Sequence, residues 1–254
     1  MESRKKPDFI IIGAQKCGTS TMWHHLAKHP DIFLPRKKEL HFFDESYDKG
    51  MDFYLEFFNR KKKPEQLFCT GEASPFYFFH PLAASRIQQN FPKIKLILLL
   101  RNPINRAYSH YHHNFRKNRI PISFEQAIQL EPEILKHRKE AFFEDESHSD
   151  LVYRRFSFLA RSRYAEQLPS WYQHFSKEQI LILKSEDYFK DPTGTFQQVF
   201  EFLGLSPFEI VLKKEHKASG YPPMKPETRK QLQEYFEPFN QELYKLTGRD
   251  FGWI

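Results

Sequence analysis

The sequence predicts an α/β fold: one domain over residues 1–254, with a central parallel sheet flanked by helices and a P-loop-like turn at its first strand. Three observations predict it. Short apolar runs alternate with helix-like segments, the pattern of a parallel sheet covered on both faces. The run "PDFIII" passes straight into "GAQKCGTST" and a helical stretch, a strand–loop–helix unit. The run "KIKLILLL" is too uniformly apolar for a strand with one wet face, so it belongs at the centre of a sheet.

Taken in order, "PDFIII" is a buried strand and "STMWHHLAKHP" the helix after it, stopped by Pro30. "QLFCTGEAS" reads as a second strand, "HPLAASRIQQNFP" as a helix and "KIKLILLL" as the central strand. "PINRAYSHYHHNFRK" starts with a proline, which suits the first turn of a helix because proline has no N–H to leave unpaired there. Glu131 to Asp150 is polar and reads as a helix plus a surface loop. "RYAEQLPSWYQHF" and "QILILKSEDY" repeat the helix-then-strand pattern, and "TGTFQQVFEFLGL" and "PETRKQLQEYFEPFNQELYKLTG" are helices. Ligands of such sheets bind beyond the C-terminal ends of the strands. Gly13 to Thr21, Glu72 to Ser74 and Arg101 all follow expected strands, which places them on one rim.

The glycine loop is close to the nucleoside-triphosphatase pattern G-x-x-x-x-G-K-[ST], with one difference. Thr19 follows Gly18, and the loop's lysine is Lys16, inside the turn. Backbone N–H groups and the positive end of a helix dipole point at whatever sits in such a loop. Lys16, Cys17, Gly18, Thr19, Ser20 and Thr21 therefore form an anion site, with the threonine and serine hydroxyls as added donors. A Mg²⁺-dependent enzyme of this architecture carries an aspartate at the end of a second apolar strand. Here that position is Arg101, which suits a second phosphate, and Ser109 on the following helix can bind the same anion. A nucleotide with phosphates on both its 5′ and 3′ sides would fill both sites.

The formal net charge of +7 favours anionic partners, although a solvated basic surface would give the same total. No run reaches membrane-spanning length, and the apolar stretch near the N-terminus is too short for a signal peptide. Two cysteines suggest no disulfide framework, so a cytoplasmic protein is expected.

On these residues the chain resembles the sulfotransferases that use 3′-phosphoadenosine 5′-phosphosulfate (PAPS). "IIIGAQKCGTSTMWHHLAKHPDIFLP", "KELHFFD", "LLLRNPINRAYSHYHHNF", "KSEDYFKDPTGTFQQVFEFLGL" and "LTGRDFGW" have counterparts there in the same order. The resemblance is to the heparan sulfate N- and 3-O-sulfotransferase branch and to similar bacterial enzymes. It implies the sulfotransferase fold and 3′,5′-adenosine bisphosphate (PAP) as product, with no metal required. The loop would hold the 5′-phosphosulfate, and Arg101 with Ser109 the 3′-phosphate.

Lys16 is then placed to stabilise or protonate the departing phosphate oxygen. The resemblance implies Glu39 as general base, with His41 and Asp44 supporting it. If "KELHFFD" is extended, Glu39 and His41 share a face, because side chains two apart in a strand do. "EHKASGYPPM" resembles the loop that closes over the donor, which makes Lys217, Ala218, Ser219 and Gly220 donor-binding candidates. Ala218 and Ser219 stand where the heparan enzymes have glycine and arginine, and Ala73 where they have a substrate-facing lysine. A small molecule or a glycan is the expected acceptor, and the missing lysine speaks against a heparan-type polyanion. No nucleic-acid partner and no membrane span are expected.

The histidines of "HYHHNF" lack a full zinc ligand set. Cys17 reads as a small packing residue, and the aromatic runs "FYFF" and "DFYLEFF" as core. Two competing readings are a P-loop kinase-like phosphotransferase and a non-catalytic anion- or nucleic-acid-binding module. Lys16 and Arg101 oppose the first, and the second leaves "KELHFFD" without a purpose.

Overall fold

A computed structural model describes residues 6–59, 69–144, 150–210 and 220–253. They group into two compact units: Met1–Leu100 with Trp171–Glu215, and Arg101–Ser170 with His216–Ile254.

The first unit holds a five-stranded parallel sheet in the order β2-β3-β1-β4-β5. Its elements are β1 Phe9–Gly13, α1 Thr19–Leu26, β2 Ile32–Phe33, α2 Phe42–Glu45, α3 Gly50–Glu56, β3 Cys69–Ala73, α4 Ala83–Asn90 and β4 Lys95–Leu100. β1 is buried along its whole length and β4 everywhere beyond Lys95, as expected of central parallel strands. After α5 Pro103–Phe115, α6 Phe124–Glu144, α7 Leu151–Phe156 and α8 Tyr164–His174, the sheet is completed by β5 Ile180–Lys184. It is followed by α9 Ser185–Lys190 and α10 Pro192–Leu203.

The second unit is helical. It is built on α5, α6, α7, most of α8 and α11 Pro226–Thr247. Its core joins Ile104, Ala107 and Tyr111 of α5 to Phe124 and Ala127 of α6, Phe158 and Leu159, and Leu232 and Phe236 of α11. Pro103 occupies the first turn of α5 as expected, and Asn102 caps that helix by accepting from the N–H groups of Ile104 and Asn105.

The polar run from Glu131 starts in a helix, as expected. Glu131 is buried inside α6, where its carboxylate accepts from the N–H groups of Leu159 and Ala160. Asp150 at the other end is also buried and caps α7. Among the described residues, no helix is long and apolar enough to cross a membrane.

Candidate active site

The glycine loop leaves β1 at the C-terminal edge of the sheet. Gly13 lies where the chain turns against the segment after β3, and an added Cβ would meet that of Phe78 at 2.6 Å. Gly18, at φ 92°, is the N-cap of α1 and supplies no side-chain acceptor to the first-turn N–H groups, the groups that an anion at a helix N-terminus would meet. Lys16 is also left-handed, at φ 72°. Thr19 is buried, Lys16 and Thr21 are half-buried, and Ser20 is exposed. Cys17 is fully buried, in line with a packing role.

The loop is held from behind by α9, which lies in the segment "KSEDYFKDPTGTFQQVFEFLGL" but was given no site residue from the sequence. Ser185 Oγ donates to the Cys17 carbonyl at 2.7 Å, and Gly18 lies against the rings of Phe189 and Tyr188. Its signals in the sequence were the resemblance of that segment and a serine opening the helix after an apolar strand.

β3, the neighbour of β1, carries the second part of the site. Glu39 N–H donates to the Ala73 carbonyl at 2.9 Å, which ties "KELHFFD" to the end of β3. This segment is not extended. Glu39 and His41 both sit in the left-handed region, at φ 61° and 52°, and α2 begins directly after. Their side chains still converge, through the turn rather than through strand periodicity. His41 Nε2 lies 3.6 Å from Glu39 Oε2, and His41 Nδ1 lies 2.7 Å from Asp44 Oδ2.

Asp44 is fully buried, His41 mostly so, and the Glu39 side chain is 45% exposed. The result is a graded array: a buried carboxylate orients an imidazole, which faces a carboxylate open to solvent. The imidazole of His41, 3.6 Å from Oε2, holds the Glu39 carboxyl down at about 2; partial burial opposes this and Lys38, 2.5 Å from Oε1, reinforces it. Glu39 is therefore ionised at neutral pH. Among the described residues, His41, Asp44 and Glu45 are the one group whose atoms could gather round a metal ion, and its histidine Nδ1 is already bonded to Asp44.

Arg101 and Ser109 belong to the second unit. Arg101 directly follows β4 and is half-buried, with its carbonyl accepting from Tyr164 Oη at 2.9 Å. Ser109 is buried in α5. Gly220 is exposed and left-handed at φ 59°, whereas Lys217, Ala218 and Ser219 lie outside the described residues. The loop and the Glu39–His41–Asp44 array thus share one sheet edge of one unit.

Comparison with known proteins decides what this combination belongs to. The sulfotransferase domain family matches residues 6–249. The chain belongs to the sulfotransferase family. It is an enzyme of that family with the P-loop-like α/β fold expected for it.

A crystal structure of a sulfotransferase from Alicyclobacillus acidocaldarius is 31% identical, with a TM-score of 0.79 over 97% of this chain and 98% of that one. Mouse heparan sulfate glucosamine 3-O-sulfotransferase 3B1 is 31% identical over 99% of this chain and 66% of its own length. The membrane-associated sulfotransferase kil1 of Dictyostelium discoideum is 29% identical over 97% of this chain and 66% of its own length. The chain thus spans just under two thirds of these two relatives. A mouse sulfotransferase complexed with PAP shares the fold, at 14% identity and a TM-score of 0.56 over 98% of this chain and 89% of that one.

Proposed function

We propose that this sulfotransferase moves a sulfuryl group from PAPS to a hydroxyl or amine of a glycan-like or other small acceptor. In this reading both compact units form one catalytic domain, which the family match over residues 6–249 supports. The acceptor oxygen or nitrogen attacks sulfur as the bond from sulfur to the bridging phosphate oxygen breaks. Glu39 takes the acceptor's proton, and PAP leaves with its developing charge at the glycine loop, met by Lys16 and the N–H groups opening α1. Arg101 and Ser109 take the 3′-phosphate, and Lys217, Ala218, Ser219 and Gly220 are further donor-binding residues.

The observation that carries this reading is the Asp44–His41–Glu39 array at the same sheet edge as an anion loop whose helix has no side-chain cap. A carboxylate held near 2 is always ionised but is a weak base. Exchange of its Lys38 bond for an acceptor hydroxyl removes a cation and raises its proton affinity.

Ala73, buried, adds no charge toward a polyanionic acceptor, so a less charged sugar hydroxyl fits better than heparan. Incubation with radiolabelled PAPS against a panel of neutral glycans, heparan oligosaccharides and small alcohols and amines tests the reading. Label on a neutral acceptor is expected. No label on any acceptor, with Mg²⁺-dependent ATP turnover in its place, would overturn it.

A further inference from the structure

At the end of β3, directly behind the Glu39–His41 turn, lies a polar cluster sealed from solvent. Glu72, Ser74, Tyr54 and Tyr77 are all fully buried. The Glu72 carboxylate accepts three hydroxyl protons: Tyr54 Oη and Tyr77 Oη at 3.0 Å on Oε1, and Ser74 Oγ at 2.8 Å on Oε2. Two of those hydroxyls then accept from the catalytic segment. Ser74 Oγ accepts from the His41 N–H at 3.3 Å, and Tyr77 Oη from the Phe42 N–H at 2.9 Å.

Each hydroxyl has one proton to give. Because Glu72 takes both, the oxygens of Ser74 and Tyr77 are left as pure acceptors facing two consecutive backbone amides. Those amides belong to the residue at φ 52° and the one after it, the point where the chain must be kept out of its relaxed conformation. The ring of Tyr54 stacks on that of Phe42 at 4.7 Å, and Phe42 too is fully buried.

We propose that Glu72 is a positioning residue for sulfuryl transfer: through the hydroxyls of Ser74 and Tyr77 it fixes the left-handed turn that aims His41 and Glu39. It never meets the acceptor, since it has no exposed surface, so it is not a second base. The inference rests on the reading of Glu39 as base given above.

An ionised Glu72 accepts from all three hydroxyls, whereas a proton on Oε2, or on Oε1 toward Tyr77, makes that hydroxyl an acceptor of the carboxyl proton and leaves its own proton without a partner in the cluster, which disturbs the acceptor that the backbone amide meets. Burial pushes Glu72 up to about 7, against the pull of the three hydroxyls and with a contribution from the Asp44 charge on α2. Tyr54 on α3 and Tyr77 are themselves pushed upward by burial and by the Glu72 charge, so they stay neutral donors. The network therefore comes apart on the acid side of neutrality.

The test uses Ser74→Ala and Tyr77→Phe, which remove one hydroxyl each, with Glu72→Gln as the conservative change. A misplacement of about 1 Å can cost 10²-fold in rate, so each variant is expected to lower kcat by roughly ten- to a hundredfold. PAP affinity should stay within about twofold, because no bond of the network reaches the glycine loop. In the wild type, kcat should fall on the acid side with a midpoint near 7, and this limb should vanish in Glu72→Gln. Amide hydrogen exchange should accelerate at His41 in Ser74→Ala and at Phe42 in Tyr77→Phe.

Unchanged kcat with unchanged exchange would overturn the inference, as would parallel loss of kcat and PAP affinity, which indicates general unfolding. If the wild type transfers no sulfate, the functional reading fails. The exchange data would then still report on whether Glu72 holds the turn.

Discussion

Replacing Glu39 by glutamine removes the proposed base while preserving shape. General-base catalysis contributes about 10²–10⁴-fold, or roughly 3–5 kcal/mol of barrier, and that is the expected loss in kcat. Donor binding should not change, since the side chain faces His41 and Lys38 rather than the glycine loop.

The pH dependence follows from the carboxyl being held at about 2, below its ordinary 4.5. A depressed acid adds stability that is present above 4.5 and is lost as pH falls through about 2. The wild type should therefore outlast the variant in thermal unfolding at pH 5, with the gap closing toward pH 2. The side chain is half-exposed, so solvent screening keeps that gap small. By the same sign, Glu39 stays ionised through pH 5, and any loss of turnover between pH 5 and 8 belongs to another group. The assay is initial rate of labelled sulfate transfer against pH for both proteins. More than about one tenth of wild-type kcat in the glutamine variant, or a wild-type acid limb centred near 4.5 that vanishes with it, would refute the reasoning.

Gly18→Ala places a Cβ at φ 92° and 2.9 Å from Phe189 Cζ. The ring is part-exposed and can swing away, so the left-handed penalty of about 1–2 kcal/mol sets the destabilisation, read by denaturant unfolding, and PAP affinity should fall with it. In the second unit, burial pushes Glu131 up to about 7, above its ordinary 4.5. A raised acid adds stability below 4.5 that is lost as pH rises through about 7, so the advantage of the wild type over Glu131→Gln in thermal unfolding should shrink from pH 5 to pH 8. A gap that stays constant would contradict this.

The parts legible in the sequence are those whose physics is local or uniform. β4 stood out because a strand buried on both faces needs an unbroken apolar run, and α5 because Pro103 marks a helix start. The glycine loop was legible because adjacent residues build it. The geometry of Glu39 and His41 was not, because their left-handed turn is imposed by the Ala73 carbonyl and the Ser74 hydroxyl, more than thirty residues away. Extended spacing predicted the right convergence for the wrong reason. Glu131 opened a polar run read as a helix plus a surface loop, and its burial could not be read there because it depends on two N–H groups from a distant turn. β2, of two residues, is too short to leave a pattern.

The claim everything else depends on is that the chain binds an adenine nucleotide carrying phosphates on both sides of the ribose. Isothermal titration with PAP, and separately with ATP and Mg²⁺, on the wild type and on Arg101→Ala, tests it most directly. The account predicts tight PAP binding without Mg²⁺, abolished by Arg101→Ala. Stronger binding of ATP with Mg²⁺, or PAP binding indifferent to Arg101, would contradict it.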